Sequence, residues 1–299
     1  MAKRKQHGEK APPPDGSGKG KASGGSDDAS SNEEDTDMLN VDFEWFDPQP
    51  EHDFHGLKIL LRQLFDADAQ LLDLSALTDL ILSQPLLGST VKVDGNESDP
   101  YAFLTVLNLH EHREKAVIKQ LNSYILDRSS TDPTLAGLRD HLLPDSSSRI
   151  GLILTERLIN IPPEVIPPMY TMLLEEITWA NDEKEPYQFS HYLVISKTYT
   201  EVMSSLDSGD GRPQKKSKRA QSEAQTFFFH PEDEVLQRHA LLHGQFDYKL
   251  EGSEGASDSK RAFQEFGVKP QGHMLLLEAS KFSPAVQAVK EFVSPTPGT

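Results

Sequence analysis

The sequence of 299 residues predicts a mixed α/β domain, a central sheet flanked by helices, behind a disordered N-terminal tail. Three observations point there. In residues 186–199 (PYQFSHYLVISKTY), Tyr187, Phe189, Leu193, Ile195 and Tyr199 alternate onto one face, while Tyr192 and Val194 take the other. Apolar residues on both faces mark an interior strand covered above and below, and the β-branched and aromatic content suits a strand. A helical pattern, MYTMLLEEITWAN, stands just upstream, introduced by the pairs Pro162-Pro163 and Pro167-Pro168 and followed by a polar turn at 181–185. Finally, YAFLTVLNL and IGLILTERL are apolar runs of strand length separated by helical segments, the order expected of buried strands alternating with helices.

Residues 1–40 form the predicted tail, rich in Gly, Ser, Pro and charge, with almost nothing to bury. Its start, MAKRKQHGEK, is basic, whereas from Ala22 no Lys or Arg occurs before Lys58 and acids accumulate. Ser30 and Ser31, each with a glutamate three residues on, have the spacing that acidophilic kinases tolerate, although a solvating tail explains the acids more simply. Gly16-Ser17-Gly18-Lys19 lacks the flanking strand and helix of a phosphate loop.

A single domain is predicted over 41–293. VDFEWFDP alternates as a first strand ended by Pro48. Asp53 is placed to cap a helix in which Phe54, Leu57, Leu61, Leu64 and Phe65 recur at helical spacing. A second helix is expected near 73–82, stopped by Pro85; its Leu71, Leu74, Leu77 and Leu80 resemble an export signal in spacing, but an amphipathic core face explains them more economically. GSTVKVDG is a short strand with an Asp94-Gly95 turn, and YAFLTVLNL an interior strand. EHREKAVIKQLNSYIL forms a helix with Val117, Leu121, Tyr124 and Ile125 on one face, followed by a short helix over 133–141 and the strand IGLILTERL.

Beyond the long strand, 206–225 reads as an exposed basic loop, disordered and carrying PQKKSKR. TFFF resumes order as a strand, and the acidic cluster Glu232-Asp233-Glu234 follows. FDYKL, a loop at 252–259, the buried run HMLLLEAS and a final helix over 283–293, capped by Ser283 with Pro284 in its first turn, complete the chain.

Chemistry is hard to place. The absence of cysteine excludes disulfides, thiolate metal sites and thiol nucleophiles. Apolar runs fall short of the ~20 residues that cross a bilayer, and no hydrophobic signal core opens the chain, so a soluble protein inside the cell is expected, with no membrane partner. With 47 acidic against 30 basic residues and a net charge of −17, direct nucleic-acid binding is disfavoured and basic partners are favoured. No G-x-S-x-G elbow occurs, and His110-Glu111-His112 places two imidazoles two residues apart, a poor spacing for shared ligation. His191 reads as a hydrogen-bonded core histidine rather than a base. Neither catalytic residues nor a metal or cofactor site is predicted.

The predicted element order is that of an acetyltransferase-like (GNAT-like) domain. More locally, VDFEWFDP, ILTERLINIPPEVIPPMY, PYQFSHYLVISKTY and FFFHPEDE together resemble the BCCIP family, including its fungal BCP members, over about 41–292. The resemblance implies a nuclear, non-enzymatic adaptor or chaperone that supports nuclear export of client proteins and shields a basic large-subunit ribosomal protein. Animal members are also linked to DNA-repair and cell-cycle partners. Acetyltransferases open the helix after their central strands with a glycine-rich turn that holds the cofactor pyrophosphate. LNLHEHREKAV stands at the place assigned to that turn and has no glycine, while Glu111 and Glu114 would oppose a phosphate there. The alternative is an acyl-CoA-dependent transferase with an atypical turn.

Two sets of interaction residues follow. Lys215, Lys216, Lys218 and Arg219, with Lys3, Arg4 and Lys5 in support, are expected to form a nuclear localisation signal read by an importin. Glu232, Asp233 and Glu234, with Asp42 and Glu44, are expected to present fixed negative charge to a basic client, unless the first three simply serve a local helix start.

Overall fold

The computed structural model describes residues 41–84, 87–143, 145–201, 226–250 and 267–294. The predicted tail, the four loop bases Lys215, Lys216, Lys218 and Arg219, and the 252–259 loop lie outside the described residues.

Strand β1 (Glu44–Phe46) leads to helix α1 (Phe54–Phe65), a 3₁₀ turn (Asp66–Leu71) and α2 (Leu74–Leu82). Strands β2 (Ser89–Lys92) and β3 (Ala102–Asn108) precede α3 (Ala116–Ser129), a 3₁₀ turn (Pro133–Leu135) and α4 (Leu138–Leu142). Next come β4 (Ile150–Arg157), a 3₁₀ turn (Pro163–Val165), α5 (Ile166–Asp182) and β5 (His191–Glu201). The chain continues with β6 (Thr226–Phe228), α6 (Pro231–Gln237), β7 (Leu242–Phe246), β8 (Val268–Glu278) and α7 (Ala279–Val293).

The eight strands of the described residues share one sheet in the order β1-β2-β3-β4-β5-β8-β7, with β6 also on β5. Every pairing is antiparallel except β4 with β5, which run parallel and are joined through α5. A crossover of this kind must pass over a face of the sheet, and the helix it carries covers that face.

Alternation along the strands separates two cores. On one face Phe103, Leu107, Leu152, Leu154, Leu193, Ile195, Met274 and Leu276 pack with the buried sides of α1 to α4. On the other, Leu104, Val106, Ile153, Tyr192, Val194, Leu275 and Leu277 pack with α5, α6 and α7. The central strands are therefore apolar on both sides, as the mixed α/β reading requires. Leu74, Leu77 and Leu80 are buried in the first core, which absorbs the export-like leucine spacing.

Several local expectations change. The long strand begins at His191 rather than 186, so Tyr187 and Phe189 do not share a face with Leu193; both join the α5 and α7 layer. A glycine in β4 makes room for this, because a Cβ on Gly151 would sit 3.0 Å from the Phe189 ring. Tyr192 then stacks on Phe282 of α7 at 4.2 Å. The final helix starts at Ala279, directly after β8, and Pro284 lies inside it rather than in a first turn capped by Ser283. The buried stripe Phe282, Ala285, Val286 and Val289 extends the helix past the missing proline N–H.

Asp53 also changes role. It precedes α1 without a side-chain cap bond. Its carboxylate instead accepts from Gln49 N (2.7 Å) and pairs with Lys92 of β2 at 2.7 Å, both side chains fully buried. Lys92 Nζ also donates to the Asn96 backbone oxygen (2.5 Å) and side-chain oxygen (3.1 Å), and lies over the Phe46 ring. One ion pair thus joins the edge strands to the start of α1. Removing one member of such a pair strands the other charge in the interior. Asp53→Ala is expected to cost about 3–5 kcal/mol of unfolding free energy, read from chemical denaturation; a loss below 1 kcal/mol would contradict the pairing.

Candidate functional site

Parallel β4 and β5 stay paired only from Ile150 and His191 to Leu154 and Ile195. Beyond that point they diverge. β4 continues along β3 to Arg157, while β5 continues along β8 and accepts β6 from Thr198 onward. A fork opens between Thr155–Arg157 on one side and Ser196–Lys197 on the other, and α6 follows β6 into it.

Ionisable side chains fill this fork. On the α1 side, Glu156 Oε2 pairs with Lys197 Nζ at 2.5 Å, and Lys197 also donates to the Gln63 backbone oxygen of α1 at 3.0 Å. On the α6 side, Arg157 grips Glu232 in a two-pronged contact, and Ser196 donates to Asp233. His230, immediately before α6, links the two sides, its Nε2 2.7 Å from Glu156 Oε1. Gln63 closes the ring by donating to the Arg157 backbone oxygen at 2.8 Å. Glu156, Arg157, Lys197, His230, Glu232 and Asp233 are all buried.

The field inside the cluster separates its carboxyl groups. Burial pushes Glu156 upward, but the Lys197 charge and the hydrogen bond and charge of His230 outweigh it and hold the group down at about 2. Asp233 goes the other way: burial, then the neighbouring Glu232 charge, push it up to about 7 against the opposing influence of His230, Ser196 and Arg157. Buried carboxylates with opposite shifts can mark acid/base machinery. Here each is bonded to a neighbouring strand or helix, and the chemistry the arrangement supports is a polar clamp holding α6 to the sheet.

The predicted client-contact residues therefore divide. Glu232 and Asp233 are 3% and 1% exposed and turn inward, which corrects their assignment as surface charge. The physical reason is that Arg157 and Ser196 offer partners in the interior that solvent would have to replace. Glu234 remains exposed and pairs with Arg238 one turn on at 2.8 Å. Asp42 and Glu44 are exposed at and before β1, distant in sequence from the fork. Lys215, Lys216, Lys218 and Arg219 lie outside the described residues.

Other candidates also settle. His191 is half-buried at the start of β5, not in the core; its Nδ1 lies 2.9 Å from Ser190 Oγ, and its ring is 4.5 Å from that of His141. His110 sits in a turn beside Arg113. The turn before α3 has no vacant amides to offer at its start, because Asn108 Oδ1 accepts from the backbone N–H groups of His110 and Glu111, both at 3.0 Å. Glu114 is exposed and pairs with Lys119 at 2.8 Å.

A model of the BCCIP family matches residues 38–236. The chain belongs to the BCCIP family. The match ends inside α6 and so takes in the whole fork cluster. Among its relatives, Protein bcp1 of Aspergillus fumigatus is 63% identical over 259 residues, covering 87% of this chain and 89% of that protein. Protein bcp1 of Schizosaccharomyces pombe is 52% identical over 264 residues, 87% of this chain and 92% of its own length. The crystal structure of BCP1 from Saccharomyces cerevisiae superposes with a TM-score of 0.58 at 25% identity, covering 90% of this chain and 95% of that one.

Two opposed pH effects follow for this BCCIP protein. Asp233, raised above its unfolded value of about 3.9, binds a proton more readily when folded, so its contribution to stability falls as pH rises toward 7. Glu156, lowered to about 2, contributes stability that is present above its unfolded value and lost as pH falls through 2. Asp233→Asn should therefore flatten the decline in unfolding free energy between about pH 4 and 7, whereas Glu156→Gln should destabilise throughout that range. An unchanged pH slope in Asp233→Asn would contradict the raised carboxyl.

Proposed function

We propose that this protein is a non-enzymatic nuclear adaptor or chaperone that escorts basic clients, a ribosomal protein of the large subunit among them, and supports export of other client proteins. The observation that carries the reading is how charge is divided between interior and exterior. Five buried carboxylates (Asp53, Asp68, Glu156, Glu232 and Asp233) meet four buried bases (Lys92, Arg128, Arg157 and Lys197) among the described residues. The interior is nearly balanced, so almost all of the net charge of −17 belongs to the rest of the chain. An acidic exterior speeds encounter with basic surfaces and disfavours nucleic acid. Membership of the BCCIP family supports the same assignment.

The fork supports a non-catalytic reading within an acetyltransferase-like fold, the finer part of this proposal. A transferase would need amide donors at the helix that follows the parallel strand β4. That helix is α5, and the connection into it, LINIPPEVIPP, carries Pro162, Pro163, Pro167 and Pro168, each lacking an N–H. On this reading the decisive turn is 158–168 rather than 107–117, and it is poor in donors. Import through an importin would use Lys215, Lys216, Lys218 and Arg219.

Titration of the full chain with a basic ribosomal protein tests the reading. Affinity should fall steeply with salt, because surface charges are screened beyond ~8 Å at physiological ionic strength. Charge reversal at Asp42, Glu44 and Glu234 should weaken binding more than deletion of 1–40, since ordering a flexible tail costs entropy that fixed side chains do not. Acetyl-CoA should give no binding heat. Salt-independent association, or saturable acetyl-CoA binding, would overturn the proposal. Alanine at the four loop bases should shift a fluorescent fusion toward the cytoplasm, and unchanged distribution with 3–5 also removed would exclude this import route.

A further inference from the structure

On the far side of α6 from the fork, the helix, β6, β7, β8 and the 3₁₀ turn before α4 line an open cleft of about 640 Å³. Glu232 and Asp233 point into the fork, whereas Glu234 and Gln237 of the same helix line this second space. Among the described residues its walls include two carboxylates, Asp132 and Glu234, and no lysine or arginine. Glu234 also holds Arg238 at 2.8 Å, so an entering cation would share that carboxylate and meet Asp132 directly, a lining that favours cations over phosphates and carboxylates.

The walls are held in place. Asp132 caps the 3₁₀ turn through Oδ1, which accepts from the Thr134 backbone N–H and hydroxyl, both at 2.8 Å. Its other oxygen accepts only a longer bond from Gln245 N, 3.2 Å, among those described, and a carboxylate oxygen can take more. The turn can lie so close to β7 because position 244 is glycine: a Cβ there would stand 2.4 Å from Thr134 Oγ1. The Gln245 amide donates to Thr226 Oγ1 at 2.8 Å, leaving its carbonyl oxygen as an acceptor.

The back wall is aromatic and carries no carboxylate. His273 is 1% exposed and its Nδ1 has no hydrogen-bond partner, although it lines a space large enough for a ligand. Burial, then the neighbouring His243, lowers its pKa to about 3, so the imidazole is neutral at physiological pH. Phe228 meets it edge to face at 5.5 Å. Aromatic faces beside carboxylates suit a planar, delocalised, weakly hydrated cation better than a compact ammonium.

We propose that this cleft is a receptor for a guanidinium group, the arginine side chain of a basic polypeptide. As a statement about clients it rests on the escort function proposed above; its ligand chemistry rests on the lining alone. The group would enter between Asp132 and Glu234, with the Gln245 carbonyl and His273 at its inner end.

Arginine amide is the direct probe, added to the full chain and followed by nuclear magnetic resonance, with citrulline amide as the neutral isostere and lysine amide as the compact cation. Saturable shifts at Thr226, Gln245 and His273 are expected with arginine amide, none with citrulline amide, and weaker binding with lysine amide. Glu234→Gln should weaken arginine-amide binding about threefold, the scale of one exposed charge pair. Because Asp132 also caps a turn, Asp132→Asn should be checked for folding before its loss of affinity is counted. No saturable shift, or equal shifts from citrulline or lysine amide, would overturn the receptor. A basic protein that binds a chain indifferent to arginine amide would overturn the receptor and leave the escort reading standing. The reverse result would support the receptor and overturn the escort.

Discussion

The charge cluster in the fork between β4 and β5 is the constraint on which the rest of this fold depends. Two parallel strands that separate inside a domain expose backbone and polar groups to the interior, and each must find a partner. Here the gap is closed by β6 and α6, tied in by Glu156–Lys197, Glu156–His230, Arg157–Glu232 and Ser196–Asp233. The buried ion pairs among these add little net stability compared with apolar packing, but breaking one is costly because it leaves a charge without compensation. Their effect is to make one position of α6 far better than any other.

That fixed position has consequences on both sides of the helix. The inner face fills the space at which the strands part. The outer face, through Glu234 and Gln237, becomes a wall of the acidic cleft. The same seven-residue helix thus closes the sheet and shapes the surface offered to a partner. Charge follows the same division, nearly balanced inside and overwhelmingly negative elsewhere.

Much of this was legible in the sequence where one periodicity dominates. Leu57, Leu61 and Leu64, or Val117, Leu121 and Ile125, repeat at helical spacing and are buried as that spacing requires. The strands β3, β4 and β5 announce themselves by apolar residues on both faces. The family phrases were legible too, since they occur in order along the chain. The fork was not. Glu232-Asp233-Glu234 reads as a solvated run because its partners lie far away, 75 residues for Arg157 and 37 for Ser196. The available signal was the pair Glu156-Arg157 closing an otherwise apolar strand, with Lys197 inside another. Charges at such places need partners, though nothing local names them. Phe189 is hard to place for a related reason: a glycine on a neighbouring strand, Gly151, decides where its ring goes.

Native-state hydrogen exchange across β4, β5 and α6 tests the clamp most directly. If the buried charges hold α6 in the fork, its amides exchange with the same opening free energy as the central strands, and only through global unfolding. Replacing Arg157 with methionine should lower the protection of α6 and β4 together. Exchange from α6 at a markedly lower free energy, with β4 and β5 still protected, would mean that the helix leaves the fork on its own and that the cluster does not hold the fold closed.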